Sequence, residues 1–438
     1  MTIDAQNNIK LVAFYLPQFH PFPENDEWWG KGFTEWTNVS RSKPLFVGHY
    51  QPHLPSDLGF YDLRVTETRH QQIRMAKDYG IDAFCYHFYW FSGKRLMERP
   101  LDDMLADQSS DMPFCLCWAN ENWTRRWDGS ENLVLIEQEY RPEDPVTSIQ
   151  ALEPYLRDPR YLTFHGRKII IVYHPRALPD SSAWMQTWRD YARDNGLGEL
   201  HLVCALTHSN WSYEEYGFDA GVEFPPHNVG ELRDRNAEDL GFIDQFEGAI
   251  VDYNKVAEFY LKRPLGEKNQ VHRTVYPSWD NTARRKKRAL VTLNGTPENY
   301  EYWLHRAIED TRQRHPDGQG IVFINAWNEW AEGCHLEPDQ KYGNAFLEAT
   351  LRARQGSALT GWTHVGPPPE TLPEAQHAHA ASLNHLLQTK YLLPLIGGHL
   401  VSSANAGLKR IYMRIRAETR ETRHAIRGFS RRLRGKTK

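Results

Sequence analysis

Along the chain, short apolar runs alternate with segments whose apolar residues recur every three or four positions. Leu11–Leu16, Ala83–Tyr89, Phe114–Trp118, Lys168–Tyr173, Leu200–Leu206, Ala220–Phe224, Thr274–Tyr276 and Ile321–Asn325 carry few charges. Such runs fit strands buried on both faces, as in a parallel sheet. Between them, Asp62–Lys77, Met97–Ala106, Ser182–Arg193, Val256–Leu261 and Pro297–Arg312 carry a helical period. Thr296 followed by Pro297 and Glu298 supplies an N-cap, a first-turn proline and an acid at the positive end of the dipole. Eight strands alternating with helices predict the α/β class, specifically a (β/α)8 TIM-type barrel with a C-terminal helical extension. A doubly wound sheet is the rival, but no GxGxxG follows the first strand. Residues 31–57 show neither period and read as part of a long first loop, of the kind that covers a site.

After about Arg354 the pattern weakens. The expected division is a barrel over 1–355, a linker and helical extension over 356–406, and a basic amphipathic tail over 407–438. Charge sharpens that last boundary. The formal net charge of −4 hides 12 Lys+Arg against 2 Asp+Glu in 407–438, a net of +10; the other 406 residues hold 40 and 54, a net of −14. The tail repeats Leu408, Ile415, Thr422 and Phe429 every seven residues, a weak apolar stripe on an Arg-rich background. It reads either as a solvated basic extension or as a peripheral anchor on an anionic membrane.

Hydrophobic content of 40% with 25% charged residues excludes wholesale disorder. No apolar run reaches 18 residues, and the first residues lack the pattern of a secretory signal. Five cysteines without zinc-like spacing read as free thiols in a reducing compartment. The expected location is cytoplasmic, peripheral at the inner membrane if the tail anchors. The His377–Ala380 HAHA stretch puts its histidines on different helix faces, so neither a metal nor another cofactor is expected. The acidic body argues against nucleic acid as a partner.

The chemistry concentrates at strand ends. Ile321–Asn325 runs directly into Glu329 and Glu332, flanked by Trp327, Asn328 and Trp330. In a barrel, residues just past a strand's C-terminal end face the active-site mouth. Two carboxylates beside aromatic rings suit glycosidic chemistry, one protonated as acid and the other a base or nucleophile. A helix-start salt bridge is the bland reading of the same pair. The strand before Asn120 and Glu121 opens a second cluster with Trp123, Arg125, Trp127 and Asp128, matched donors and acceptors for hydroxyls or a phosphate. Further strand-end sets hold Tyr15, Gln18 and His20; Tyr86, His87 and Trp90; Thr207 to Trp211; and Trp279 with Asp280. Of 15 tryptophans, 11 fall in such sets or in the loop carrying Trp28, Trp29 and Trp36, which points to ring stacking on sugars at the mouth.

The motifs FYLPQFHP, GFTEWTNV, WANENWTRRWDG, YPSWDNTAR and WNEWAEGCHLEP lie between Phe14 and Pro338 and carry a resemblance that covers about residues 10–352. The chain resembles glycoside hydrolase family 99, the endo-α-mannosidase family, and more closely the WbsX-type glycosyltransferases grouped with it. The resemblance implies that Glu329 acts as base on a sugar 2-hydroxyl, whose oxygen displaces the leaving group to give a 1,2-anhydro sugar. It implies that Glu332 acts as acid for the departing oxygen and then as base for the acceptor, with net retention. It also implies that Glu337 and Tyr342 lie near substrate. The departures in 118–128 mean that mannose does not carry over.

The implied function is a glycosyltransferase of bacterial surface-polysaccharide (O-antigen or capsule) biosynthesis, acting on an oligosaccharide or lipid-linked glycan. No Asp-x-Asp or phosphate-cradling glycine loop marks a metal-dependent nucleotide-sugar transferase. An endo-acting retaining glycoside hydrolase or transglycosylase uses the same carboxylates and is the alternative. A non-catalytic glycan-binding barrel is the third reading.

Overall fold

A computed structural model of the chain describes residues 9–125, 130–233, 240, 246–265, 270–356 and 360–363. The expected basic tail and nearly all of the expected linker therefore lie outside the described residues. Eight strands form the barrel: β1 (Lys10–Tyr15), β2 (Ala83–Phe91), β3 (Phe114–Trp118), β4 (Arg167–Val172), β5 (Leu200–Leu206), β6 (Ala220–Glu223), β7 (Val271–Val275) and β8 (Ile321–Ile324). Each pairs in parallel with the next, and β8 closes on β1 with Leu11 opposite Val322 and Ala13 opposite Ile324. Closure leaves no strand edge to solvate, which is why Leu11, Val12, Ala13, Ile170, Val203 and Val322 can all be fully buried.

The connecting helices are α1 (Pro23–Trp29), α2 (Glu35–Arg41), α3 (Thr66–Asp78), α4 (Arg99–Ala106), α5 (Asp144–Leu156), α6 (Ser181–Asp194), α7 (Tyr253–Lys262), α8 (Thr282–Arg285) and α9 (Pro297–Arg314), with α10 (Ala345–Gln355) after β8. The Thr296 side chain accepts from the Asn299 amide, the cap that its sequence foretold. Between β5 and β6 the described connection holds only the 3₁₀ turn Glu214–Tyr216.

Residues 31–57 depart from expectation, since α2 lies within them. Its seven residues span two turns, too short to establish a period, and its buried members Glu35, Trp36 and Val39 mix charge with apolar bulk. Beside the barrel mouth, Ala249–Asp252 and Leu290–Leu293 form a separate two-stranded parallel sheet that the pattern did not foretell. Four-residue strands carry too little alternation to be read.

Candidate active site

The β8 strand ends in a tight hairpin. Asn328–Glu329 pairs antiparallel with Cys334–His335, and a 3₁₀ turn, Trp330–Glu332, joins them. The turn closes on Gly333 at φ 55°, where a Cβ would stand 3.0 Å from the Cβ and backbone oxygen of Asp280. That left-handed conformation and close approach both favour glycine. Three anchors fix the hairpin. The Asn328 carboxamide accepts from Leu16 N at 2.7 Å and donates to Leu16 O at 3.0 Å, tying it to the end of β1. The Asp280 amide donates to Glu332 O at 2.7 Å. Beneath, Glu337 accepts from Tyr61 Oη and Trp330 Nε1 at 2.7 Å and from Gln72 Nε2 at 2.6 Å.

The two carboxylates of the hairpin share one guanidinium. Arg284, on α8, places one terminal nitrogen 2.8 Å from Glu329 Oε2 and the other 2.8 Å from Glu332 Oε1. Its Nε donates to Glu35 Oε2 of α2 at 2.9 Å. Three acids thus surround one cation in a largely buried setting. Burial pushes the Glu332 carboxyl up to about 8; Arg284 pulls it back, while Glu329 and Glu35 add to the rise. Burial likewise raises Glu35 against the pull of Arg284. For Arg284 burial favours the neutral form, but the three acids outweigh it and hold the guanidinium charged. The arrangement supplies one protonated carboxyl beside a second carboxyl, the division of labour that acid–base chemistry needs.

Both acids line a cleft of about 800 Å³ at the C-terminal mouth of the barrel. Gln18, His87, Glu121, Trp123 and Trp279, all expected from sequence, line it with them, as do Trp29, Tyr89 and Arg284. Gln18 Nε2, His87 Nδ1 and Trp279 Nε1 are buried without a hydrogen-bond partner among the described residues. Such groups cost about 1–3 kcal/mol each when unsatisfied, so a polyhydroxylated ligand suits the walls. Burial lowers His87 to about 4, so its ring is neutral at physiological pH.

Several expected residues serve the frame instead. Tyr15 donates to Gln72 Oε1 at 2.7 Å within the core. The His20 ring lies 2.9 Å from Pro17 O, and burial lowers it to about 4. Trp36 donates to Tyr61 O, and the Asn120 carboxamide clamps the backbone of His174. Tyr86, Trp90, Trp327, Trp330 and Glu337 are buried. Burial raises Glu337 to about 7 against hydrogen bonds from Tyr61, Trp330 and Gln72 among others, which favour its charged form. Asp280 accepts from Gln51 Nε2 at 2.7 Å and meets His49 Nε2 at 2.5 Å. Tyr342 packs on Phe346 and Lys341. Side chains of Arg125, Trp127 and Asp128 lie outside the described residues. The tryptophan excess is thus divided: Trp29, Trp123 and Trp279 border the cleft, while Trp36, Trp90, Trp118, Trp327 and Trp330 fill the core. Strand ends deliver side chains alternately to the mouth and to the surrounding layer, and the sequence pattern alone does not separate the two.

The sequence reading assigned no role to Glu35 and Arg284, although GFTEWTNV and YPSWDNTAR contain them. A buried acid and a buried cation in separate motifs reveal themselves as partners only once the chain is folded.

A protein-family model described as "Glycosyltransferase WbsX" matches residues 11–350. Among curated proteins, an "Uncharacterized protein WxcX" of Xanthomonas campestris pv. campestris strain ATCC 33913 is 47% identical over 343 residues, covering 78% of this chain and 49% of the relative. Its namesake from strain B100 matches to the same extent. The chain therefore spans about half the length of the curated relatives it matches. Among solved structures, a "Glycoside hydrolase-like protein" aligns at 14% identity with a TM-score of 0.48, over 80% of this chain and 95% of the other. A GH99 endo-alpha-mannosidase from Bacteroides thetaiotaomicron aligns at 13% and 0.48, over 81% and 98%.

Proposed function

Because the chain belongs to the WbsX glycosyltransferase family, and is thereby a carbohydrate-active enzyme, we propose that it transfers a glycosyl unit in the assembly of a bacterial surface polysaccharide, with retention of configuration. The observation that carries the reading is the shared guanidinium. Arg284 holds Glu329 and Glu332 at one edge of a polar cleft, with Glu332 pushed up to about 8. In the proposed cycle Glu329 takes the proton of the sugar 2-hydroxyl, and that oxygen attacks the anomeric carbon. The bond to the leaving oxygen breaks as Glu332 protonates it. Glu332 then removes the proton of the incoming hydroxyl, which opens the 1,2-anhydro ring from the opposite face, and Glu329 returns its proton to the 2-oxygen. Two inversions give retention. Gln18, His87 and Trp279 offer unpartnered polar atoms along the walls for sugar hydroxyls.

The proposed substrate is a lipid-linked glycan, met at the inner membrane through the basic charge of residues 407–438. Among the described residues no helix is long and apolar enough to cross a membrane. Incubation with lipid-linked oligosaccharide and activated sugar donors, followed by mass spectrometry, tests the reading. A product longer by one sugar, with the donor's anomeric configuration retained, is expected. A shortened glycan or free oligosaccharide makes the enzyme a hydrolase. Glu329→Gln and Glu332→Gln should each lower turnover by about 100-fold or more; unchanged turnover in both removes the two-carboxylate mechanism.

A further inference from the structure

Glu35 shares Arg284 with the two acids of the hairpin but differs from them in its surroundings. Its Oε2 accepts from Arg284 Nε at 2.9 Å and lies 2.8 Å from the terminal nitrogen that also serves Glu329. Its Oε1 accepts from Asn38 Nδ2 at 3.1 Å. Three donor contacts on two oxygens favour the ionised carboxylate. From the same guanidinium, Glu332 takes its 2.8 Å contact at Oε1. The Glu35 side chain is 0% exposed and does not line the cleft, whereas that of Glu332 is 21% exposed and does.

Charge counting separates their roles. Three carboxylates at −1 and one guanidinium at +1 sum to −2 when every acid is ionised, a state that burial penalises. One proton on the set brings the sum to −1. Glu35, gripped by donors and shut off from the cleft, is badly placed to receive or pass that proton. Glu332 borders the cleft, and burial pushes its carboxyl up to about 8. In the cycle proposed above, Glu329 gains a proton from the sugar as Glu332 gives one to the leaving oxygen. The sum then stays at −1 through each step, and Arg284 always meets one ionised and one protonated acid of the hairpin.

The neighbouring titratable groups do not supply this fixed negative charge. Burial keeps the Tyr89 hydroxyl and the Cys334 thiol protonated and the His87 and His335 rings neutral. Asp280, whose amide meets Glu332 O, turns its carboxylate to His49 and Gln51. Arg285 and Arg288 line the cleft and add positive charge, while Lys286, Lys287 and, at the far end of α2, Arg41 are exposed.

We propose that Glu35 is a positioning residue, the permanent counter-ion of Arg284, which lets that one guanidinium support whichever of Glu329 and Glu332 is ionised while the other holds the proton. The alternation rests on the two-carboxylate reading of the site; the charge of Glu35 does not.

Infrared difference spectroscopy of the full-length protein across pH tests the proposal, because it reads protonated carboxyls without substrate. In the wild type a carboxyl band should disappear with a midpoint of about 8. That band should be missing from Glu332→Gln, and its survival there overturns the proposal. Glu35→Gln should remove no carboxyl band and should lower the midpoint by about 1–3 pH units, because Arg284 then acts on Glu332 with one anion fewer to balance it. Glu35→Asp, which keeps the charge farther from Arg284, should lower it less. Loss of a carboxyl band in Glu35→Gln, a midpoint there at or above that of the wild type, or an equal fall in both variants overturns the proposal. If Glu35→Gln does not fold, an unmoved or raised midpoint in Glu35→Asp does so. Once turnover is measured, the alkaline limb of kcat/KM should move with the midpoint in these variants, and a limb that stays in place overturns the alternation. A moved midpoint in a protein that transfers no sugar instead overturns the transferase reading and leaves Glu35 as the counter-ion.

Discussion

At the scale of single residues, the protein depends on acids held away from their ordinary protonation. Glu332 at about 8 and Glu337 at about 7 both retain protons that the unfolded chain releases near 4.5. For a carboxyl raised on folding, the native state binds more protons than the unfolded state between the two values. Stability should therefore fall as pH rises from about 5 through 8, seen as a declining urea midpoint, and this slope should shrink in Glu332→Gln. Under the proposed mechanism kcat/KM should fall as pH rises through about 8, where the acid is lost. An alkaline limb unchanged in an active Glu332→Gln variant would separate that titration from catalysis. Glu329 and Glu332 were legible as a pair from WNEWAEG alone. Their counter-ion Arg284 was not, because its 45 and 48 residues of separation from them carry no periodic signal.

At the scale of the element, the hairpin after β8 carries both carboxylates of the proposed mechanism. Its geometry rests on Gly333, whose φ of 55° is left-handed and whose Cβ position stands only 3.0 Å from Asp280, so that any side chain there is strained and crowds Asp280. Gly333→Ala should cost about 1–2 kcal/mol from the left-handed conformation alone, measured by urea denaturation. It should also reduce kcat more than KM, because Gly333 adjoins Glu332 and does not itself line the cleft. Loss of binding with unchanged kcat would place the hairpin's role in ligand affinity. Seven of the eight barrel strands were legible to within two residues at either end, Phe114–Trp118 and Leu200–Leu206 to the residue, because burial on both faces leaves apolar runs; β7, Val271–Val275, was expected only from Thr274 to Tyr276, because His272 and Arg273 interrupt its run. The two-turn α2 and the four-residue sheet pair were not, since neither completes a period long enough to count.

At the scale of the whole molecule, the charge split remains a property of the sequence, with +10 in the last 32 residues and −14 in the rest. Removing 407–438 should release the protein from vesicles containing anionic lipid at moderate salt and leave turnover of soluble substrates unchanged. Undiminished co-sedimentation would locate membrane affinity elsewhere. The eight strands close into a barrel because their side chains are buried on both faces and each pairs in parallel with its successor; the apolar runs determined this from the sequence, whereas Glu223, His272 and Arg273 are polar residues that the closed barrel buries. Pattern and spacing also pointed to the mouth, where Glu329 and Glu332 line the cleft as the proposed acids. Only the tertiary structure decided which strand-end residues reach the cleft and which hold the frame. It alone put Arg284 between three acids. The reason is that local sequence records periodicity, whereas the partners of a buried charge lie tens to hundreds of residues away and meet only when the barrel closes.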